Sequence, residues 1–450
     1  MNSRNLWPAL FILAILIGIG FRLPALENRP MHSDEAVHAV KFGALLEDGD
    51  YRYDPYEFHG PSLNYLTLIP AWIDSKKKLN EVDESTLRIV PLFFGILLIS
   101  LLIFLKDGLG WPVVAAAALF TAVSPSMVFY SRYYIQEMLL ACFSFGAIVF
   151  GYQSYKDKKI TWALVTGLFL GLMHATKETF LIPVSAMILA VLAAKILDHY
   201  TRKENQPHKG NRSNGTNCNK KFMFRLLFAV FAAASTVSIL FYSSFFSNQQ
   251  GIIDSILTYK TYFARAGENE WHIHPWYFYF QRLLFFKQYA SPLWSEALIA
   301  ILAIWGIRFV FSNHHQDSRI DRNLLRFFAF YAMFMSIAFS LIPYKTPWNL
   351  LGFWHGFIIM AGVGATKLIS EIGRASAKMV VALLLISGSL QLAWQSYLAN
   401  FEYEADPANP FVYAHPTKDV LAMAQRIKAY VQAAPNGQNT YIQFICSNAD

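Results

Sequence analysis

Charge is what this chain lacks most. Only 15% of its 450 residues are charged, against about a quarter in ordinary soluble domains, while 55% are hydrophobic and 16% aromatic. A chain so composed has too little polar surface to cover itself in water, which excludes a soluble globular enzyme and calls for a bilayer. Cysteine is nearly absent. Cys142, Cys218 and Cys446 show no metal-ligand spacing, which excludes a disulfide framework or a zinc site. No Walker motif and no GxGxxG opening a helix occurs, so the usual backbone cradle for nucleotide phosphates is missing. The formal net charge of +8 is not organised as a basic stripe interleaved with aromatics. Nucleic acid is therefore not an expected partner.

What is present is a succession of apolar runs, each long enough to cross a hydrocarbon core of roughly 30 Å. Eleven candidate spans lie near 6–26, 87–105, 111–131, 135–155, 160–176, 179–197, 222–246, 291–311, 324–343, 348–366 and 379–398. They predict an all-α polytopic membrane protein, with residues 1–398 as the membrane domain. Residues 399–450 form a small extracytoplasmic C-terminal segment, with an amphipathic helix at Thr417–Gln432 and a first strand at Tyr441–Ile445. The first run follows Arg4 as a signal peptide would, but continues through Leu26 without a clean small-residue cleavage pattern and reads as a retained anchor.

Cationic residues of short loops stay cytoplasmic. Lys156, Lys158 and Lys159, the stretch from Lys195 to Arg225, Arg308 with Arg319, Arg322 and Arg326, and Arg374 with Lys378 all fall on one side when the N-terminus is cytoplasmic. The opposite, extracytoplasmic side of the plasma membrane then receives a first long loop (27–86), a second (247–290), the C-terminal tail, and three short turns with one cation each: Arg132, Lys177 and Lys345. Each cation is either an interfacial anchor or a functional group. Lys203–Lys221 reads as a flexible cytoplasmic linker, which discounts the sequons at Asn211 and Asn214.

The first long loop opens on Met31-His32-Ser33-Asp34-Glu35-Ala36-Val37-His38, where two adjacent carboxylates stand at a membrane surface. A helix starting near Ser33 or Asp34 would use them as N-terminal acids, the structural alternative to chemistry. Tyr53-Asp54-Pro55-Tyr56-Glu57-Phe58-His59-Gly60-Pro61-Ser62-Leu63 follows, then a helical run to Ile73. Asp48-Gly49-Asp50 superficially matches a metal-binding DxD but reads as a turn.

This loop resembles that of membrane glycosyltransferases of the GT-C fold, in the protein O-mannosyltransferase and aminoarabinose-transferase superfamily, glycosyltransferase family 39. His59-Gly60-Pro61-Ser62-Leu63 is similar to the family's His- or Lys-Pro-Pro-Leu turn, with glycine in place of the first proline. Tyr130-Ser131-Arg132-Tyr133-Tyr134-Ile135-Gln136-Glu137 resembles its arginine before an acid that opens a span, and Gly171 to Lys177 its Gly-Leu-x-x-x-Thr-Lys. Pro343-Tyr344-Lys345-Thr346-Pro347-Trp348-Asn349 and His274-Pro275-Trp276-Tyr277 are similar to the flippase-activity-associated branch. The resemblance implies a GT-C bundle of about eleven transmembrane helices, with amphipathic helices in its outer loops. It also implies inverting transfer of a sugar from a polyprenyl-phosphate donor to a protein, glycan or lipid acceptor.

Such a transfer needs a base at the acceptor hydroxyl and positive charge at the departing phosphate. Asp34, with Glu35 beside it, is the candidate catalytic pair; Arg132, Lys177 and Lys345 are the candidate phosphate ligands. Glu57, His59, Glu137, His274, Trp276 and Tyr277 are candidate substrate contacts, the aromatic pair alternatively serving as interfacial anchors with the stripe from Phe278 to Phe286. A divalent metal ion is an open possibility, with Asp34, Glu35, His38 and His59 as potential ligands. The rival reading is a lipid-linked glycan flippase, for which charged sites should sit near the bilayer midplane in two related halves. Here the candidate charges sit at span ends on one face.

Overall fold

A computed structural model describes residues 3–56, 59–205, 220–268, 272–288, 290–312 and 320–443. Glu57 and Phe58, the two sequons, Cys218 and Cys446 lie outside the described residues. In chain order the helices are α1 (Ser3–Arg22), α2 (Ser33–Asp48), α3 (Ser62–Ile73), α4 (Glu84–Leu101), α5 (Lys106–Leu109), α6 (Trp111–Val123), α7 (Pro125–Tyr130), α8 (Glu137–Asp157) and α9 (Ile160–His174). They continue with α10 (Leu181–Asn205), α11 (Lys220–Tyr242), α12 (Gln250–Glu268), α13 (Phe278–Leu284), α14 (Ala297–Phe311), α15 (Arg322–Leu341), α16 (Leu351–Glu371), α17 (Ala375–Tyr397) and α18 (Asp419–Ala433).

Every expected span contains a helix. Among the described residues eight stretches are long and apolar enough to cross a membrane, and the chain is a multi-pass membrane protein. The exceptions are the shorter apolar helices Trp111–Val123, Ile160–His174 and Ala297–Phe311. At 13 residues, α6 reaches only about 20 Å. It stops because Pro125 has no N–H to continue the ladder, and α7 resumes the path after Ser124.

Packing follows small residues. Gly167 and Gly171 of α9, spaced as GxxxG, let its backbone approach α11, where Cβ atoms would meet the carbonyls of Val230 and Ala234. The main core runs through α1, α4, α6, α8, α14, α15 and α16. At one end, Lys156 pairs with Asp107 and Arg326 with Asp198. The long loops gather at the other end, where α2 and α3 pack on each other and α3 leans on α4.

Two expectations change here. Within the C-terminal segment, residues 399–413 fold back onto the bundle. Asn409 donates to the carbonyls of Ala399 (2.9 Å) and Tyr403 (3.0 Å), and Phe411 and Val412 join the core. Tyr441–Gln443 is irregular rather than strand, and the rest of that stretch lies outside the described residues. The expected tail helix is α18. The aromatic stripe is also split: Phe278 and Tyr279 are core, while Phe285 is exposed.

Candidate active site

The site end is built from the start of α2. His32 caps it through Nδ1, which accepts the Asp34 N–H at 3.0 Å, and the Glu35 carboxylate accepts the His32 N–H at 3.0 Å in return. Since Nδ1 accepts, Nε2 carries the proton and donates to the Tyr413 carbonyl at 3.0 Å. Gly49 ends the helix in the left-handed region (φ 68°), so Asp48-Gly49-Asp50 is a helix stop.

Adjacent helical residues point about 100° apart, and this separates the two acids. Glu35 turns inward and is fully buried. Arg88 of α4 clamps it with Nε and Nη2, both at 2.9 Å, while Arg29 reaches it at 3.5 Å and the Tyr134 N–H at 2.8 Å. Burial alone would raise the pKa of Glu35. The guanidinium charges and donated hydrogen bonds override it and hold the carboxyl far below the usual carboxylate range. Asp34 turns outward: its side chain is 47% exposed, with the His32 imidazole 3.9 Å away. The expected catalytic pair is therefore one open carboxylate and one ionic anchor.

One turn on from Asp34, buried His38 leads to a second polar group. Its Nδ1 lies 3.4 Å from the Gln136 amide, and its ring is 6.3 Å from that of His59. Desolvation, with the nearby His59 and Lys177, lowers the His38 pKa to about 3. His59 is partly exposed and donates through Nδ1 to buried Glu178 at 2.8 Å, which also accepts the Tyr53 hydroxyl at 2.9 Å. Lys177 is paired with Glu137, both buried. The glycine that departs from the family's proline has a local reason. A Cβ at Gly60 would run into the backbone carbonyl of Ala175, to which the Ser62 N–H donates at 2.9 Å.

The second long loop closes the site from another side. Ile273 bridges Tyr344, the His274 N–H donates to Pro343 at 3.2 Å, and the Lys345 N–H donates to His272 at 2.9 Å. The returning C-terminal arm inserts Tyr413, whose hydroxyl meets His272 Nδ1 at 2.5 Å and His274 Nε2 at 3.0 Å. Trp348 and Tyr133 pack beside His32. The Tyr130 hydroxyl holds the arm at the Phe411 carbonyl, 2.9 Å away.

The three expected phosphate-binding cations are all occupied by protein. Arg132 donates to the carbonyls of Phe21 (3.4 Å), Arg22 (2.9 Å), Pro24 (2.6 Å) and Ala25 (3.0 Å), completing the end of α1. Lys345 is buried against the carbonyls of His274, Ile342 and Pro343, and desolvation lowers its pKa. With Lys177 bound to Glu137, none stands as an open ligand for an anion. Trp276 and Tyr277 are exposed, edge to face at 5.7 Å. Metal ligation is not supported among the described residues. No three His, Cys, Asp or Glu side chains converge, and Glu35 is spent on arginines.

Several contributors escaped the sequence reading. Arg88 had a signal, being a cation inside a span, where charges require partners. Glu178 adjoins Lys177 and could have been weighed with it. Arg29 and Tyr413 act through contacts across 103 and 141 positions, which periodicity does not encode.

A family model described as dolichyl-phosphate-mannose-protein mannosyltransferase matches residues 68–209. Comparison with curated proteins gives no match. Among solved structures, the chain is similar to the archaeal oligosaccharyltransferase AglB from Archaeoglobus fulgidus, in complex with an inhibitory peptide and a dolichol-phosphate. That match has TM-score 0.61 and 12% identity, and covers 97% of this chain and 59% of AglB. ArnT from Cupriavidus metallidurans, bound to undecaprenyl phosphate, matches with TM-score 0.59 and 15% identity over 95% of this chain and 80% of ArnT. The fold is thus that of the GT-C class of polytopic membrane proteins. Within it, the family-model match links residues 68–209, about a third of the chain, to dolichyl-phosphate-mannose-protein mannosyltransferases.

Proposed function

We propose that the protein transfers a sugar from a polyprenyl-phosphate-linked donor to an acceptor at the extracytoplasmic end of the bundle, with inversion. The observation that carries this reading is the division of labour at the start of α2. Glu35 is locked in an ion pair, and Asp34 is left open beside the His32 imidazole, which is tied in turn to the Tyr413 backbone and so to the His272–Tyr413 pair. Asp34 takes the proton from the acceptor hydroxyl as its oxygen attacks the sugar's anomeric carbon and the bond to phosphate breaks. One carboxylate is enough, because a phosphate leaves without protonation, whereas glycoside hydrolysis uses two. His59, hydrogen-bonded to Glu178, stands on the side of the leaving phosphate, and Arg132 and Lys345 add positive potential there. The lysine and arginine clusters at the other end support a cytoplasmic N-terminus. AglB and ArnT, whose structures hold dolichol-phosphate and undecaprenyl phosphate, favour the same donor class.

The test is to reconstitute the full chain in vesicles with polyprenyl-phosphate sugars and follow glycosidic product and free polyprenyl phosphate. Product formation from donor on the site side supports the reading. Movement of intact donor between leaflets without bond cleavage would replace it with lipid transport.

A further inference from the structure

The break between α6 and α7 leaves backbone groups without helical partners in an apolar setting, where each is costly. Side chains from other elements meet them. On the α6 side, the fully buried Arg22 guanidinium donates to the carbonyls of Thr121 (3.0 Å) and Ala122 (3.1 Å), and Ser396 donates to that of Val123 (2.7 Å). On the α7 side, Glu296 is 1% exposed and accepts from the Ser126 N–H (2.9 Å), the Ser124 hydroxyl (2.5 Å) and the Trp354 indole N–H (2.9 Å).

These contacts join three elements whose site ends carry the polar groups described above. From α7 the chain passes directly to Tyr130, which holds the C-terminal arm, to Arg132, and to the Tyr134 N–H that binds Glu35. From α16, which carries Trp354, the chain runs back to Trp348 beside His32. Glu296 itself immediately precedes α14, its N–H donating to the Leu283 carbonyl of α13 at 2.6 Å. We infer that Glu296 is a positioning residue, a buried carboxylate that fixes α7, α14 and α16 in register so that the Asp34 end is held in one geometry. The geometric part stands apart from the transfer reaction. Only its kinetic consequence rests on that reading.

The donor pattern makes the inference testable. The Glu296 carboxyl oxygens face three donors here, whereas a glutamine oriented to accept the Ser126 N–H turns its own N–H2 toward the Trp354 N–H. Glu296→Gln should therefore raise amide hydrogen exchange at residues 125–134 by at least about 10-fold, as expected for one buried donor left unpaired. Exchange in the α9–α11 pair should stay unchanged. Adding Trp354→Phe removes the opposed donor and should restore most of the protection, an effect that a merely space-filling residue would not produce. If the chain transfers sugar, Glu296→Gln lowers kcat by about 10- to 100-fold with donor KM within about twofold, the signature of misplaced catalytic groups. Should Glu296→Gln fail to fold, Ser124→Ala carries the same test with a local rise at 125–134. Unchanged exchange at 125–134, a uniform rise across all helices, or no rescue by Trp354→Phe overturns the inference. Changed exchange in a chain that never transfers sugar leaves the positioning role standing and rejects the reaction instead.

Discussion

Replacing Glu35 by glutamine tests the ionic anchor beneath the site. The side chain keeps its size but loses its charge and one acceptor, while Arg88 and Arg29 remain buried around it. Removing one partner of such a pair costs about 3–5 kcal/mol. Read through local opening, that corresponds to roughly 100- to 5,000-fold faster amide exchange at residues 29–36 and 132–136. The pH dependence has a definite sign. The native pKa of Glu35 is depressed, so its contribution is complete above the unfolded value of about 4.5 and disappears only as pH falls through the lower native value. Wild-type protein should keep this protection at pH 5 and lose it in strong acid, whereas Glu35→Gln should show no such step. The experiment is hydrogen exchange by mass spectrometry on full-length protein in nanodiscs across pH. A change below about threefold at pH 7 would refute the anchor assignment, since it is far under the cost of an uncompensated buried guanidinium.

Arg132→Lys should cost about 2–4 kcal/mol, because an ammonium cannot span the four carbonyls at the end of α1; a lowered melting temperature of the purified protein checks it. Gly60→Ala should destabilise the first long loop through collision with the Ala175 carbonyl, read as faster proteolysis between residues 49 and 62. Tyr413→Phe removes the hydroxyl shared by His272 and His274. Because both imidazoles are partly exposed, the loss should be only about 1 kcal/mol, with increased exchange confined to residues 272–274 and 411–415.

The spans were legible because apolar runs of that length have no other use, and the start of α2 was legible because Ser33 and Asp34 stand where a first turn takes polar and acidic residues. The Asp34-Glu35 pair was found but not divided. Two neighbouring acids look alike in a string, and only the turn of α2 against Arg88 makes one a core ion pair and the other an open carboxylate. The three turn cations illustrate the converse error. Their placement on one end was readable, but Arg132 and Lys345 are saturated by carbonyls of α1 and of their own turn, and no pattern announces that a carbonyl will be the partner. The break at Ser124–Pro125 was hidden inside a run long enough to cross unbroken, and the C-terminal arm reaches the site by a fold-back that has no local signal.

Asp34 is the open carboxylate of the site. Full-length protein and its Asp34→Asn variant should be compared for transfer from a defined polyprenyl-phosphate sugar, with hydrogen exchange at residues 29–36 confirming that the Glu35 anchor is intact. Loss of a positioned general base predicts a fall in kcat of about 100- to 10,000-fold, with exchange at the anchor unchanged. Transfer at the wild-type rate by a correctly folded Asp34→Asn protein would contradict it.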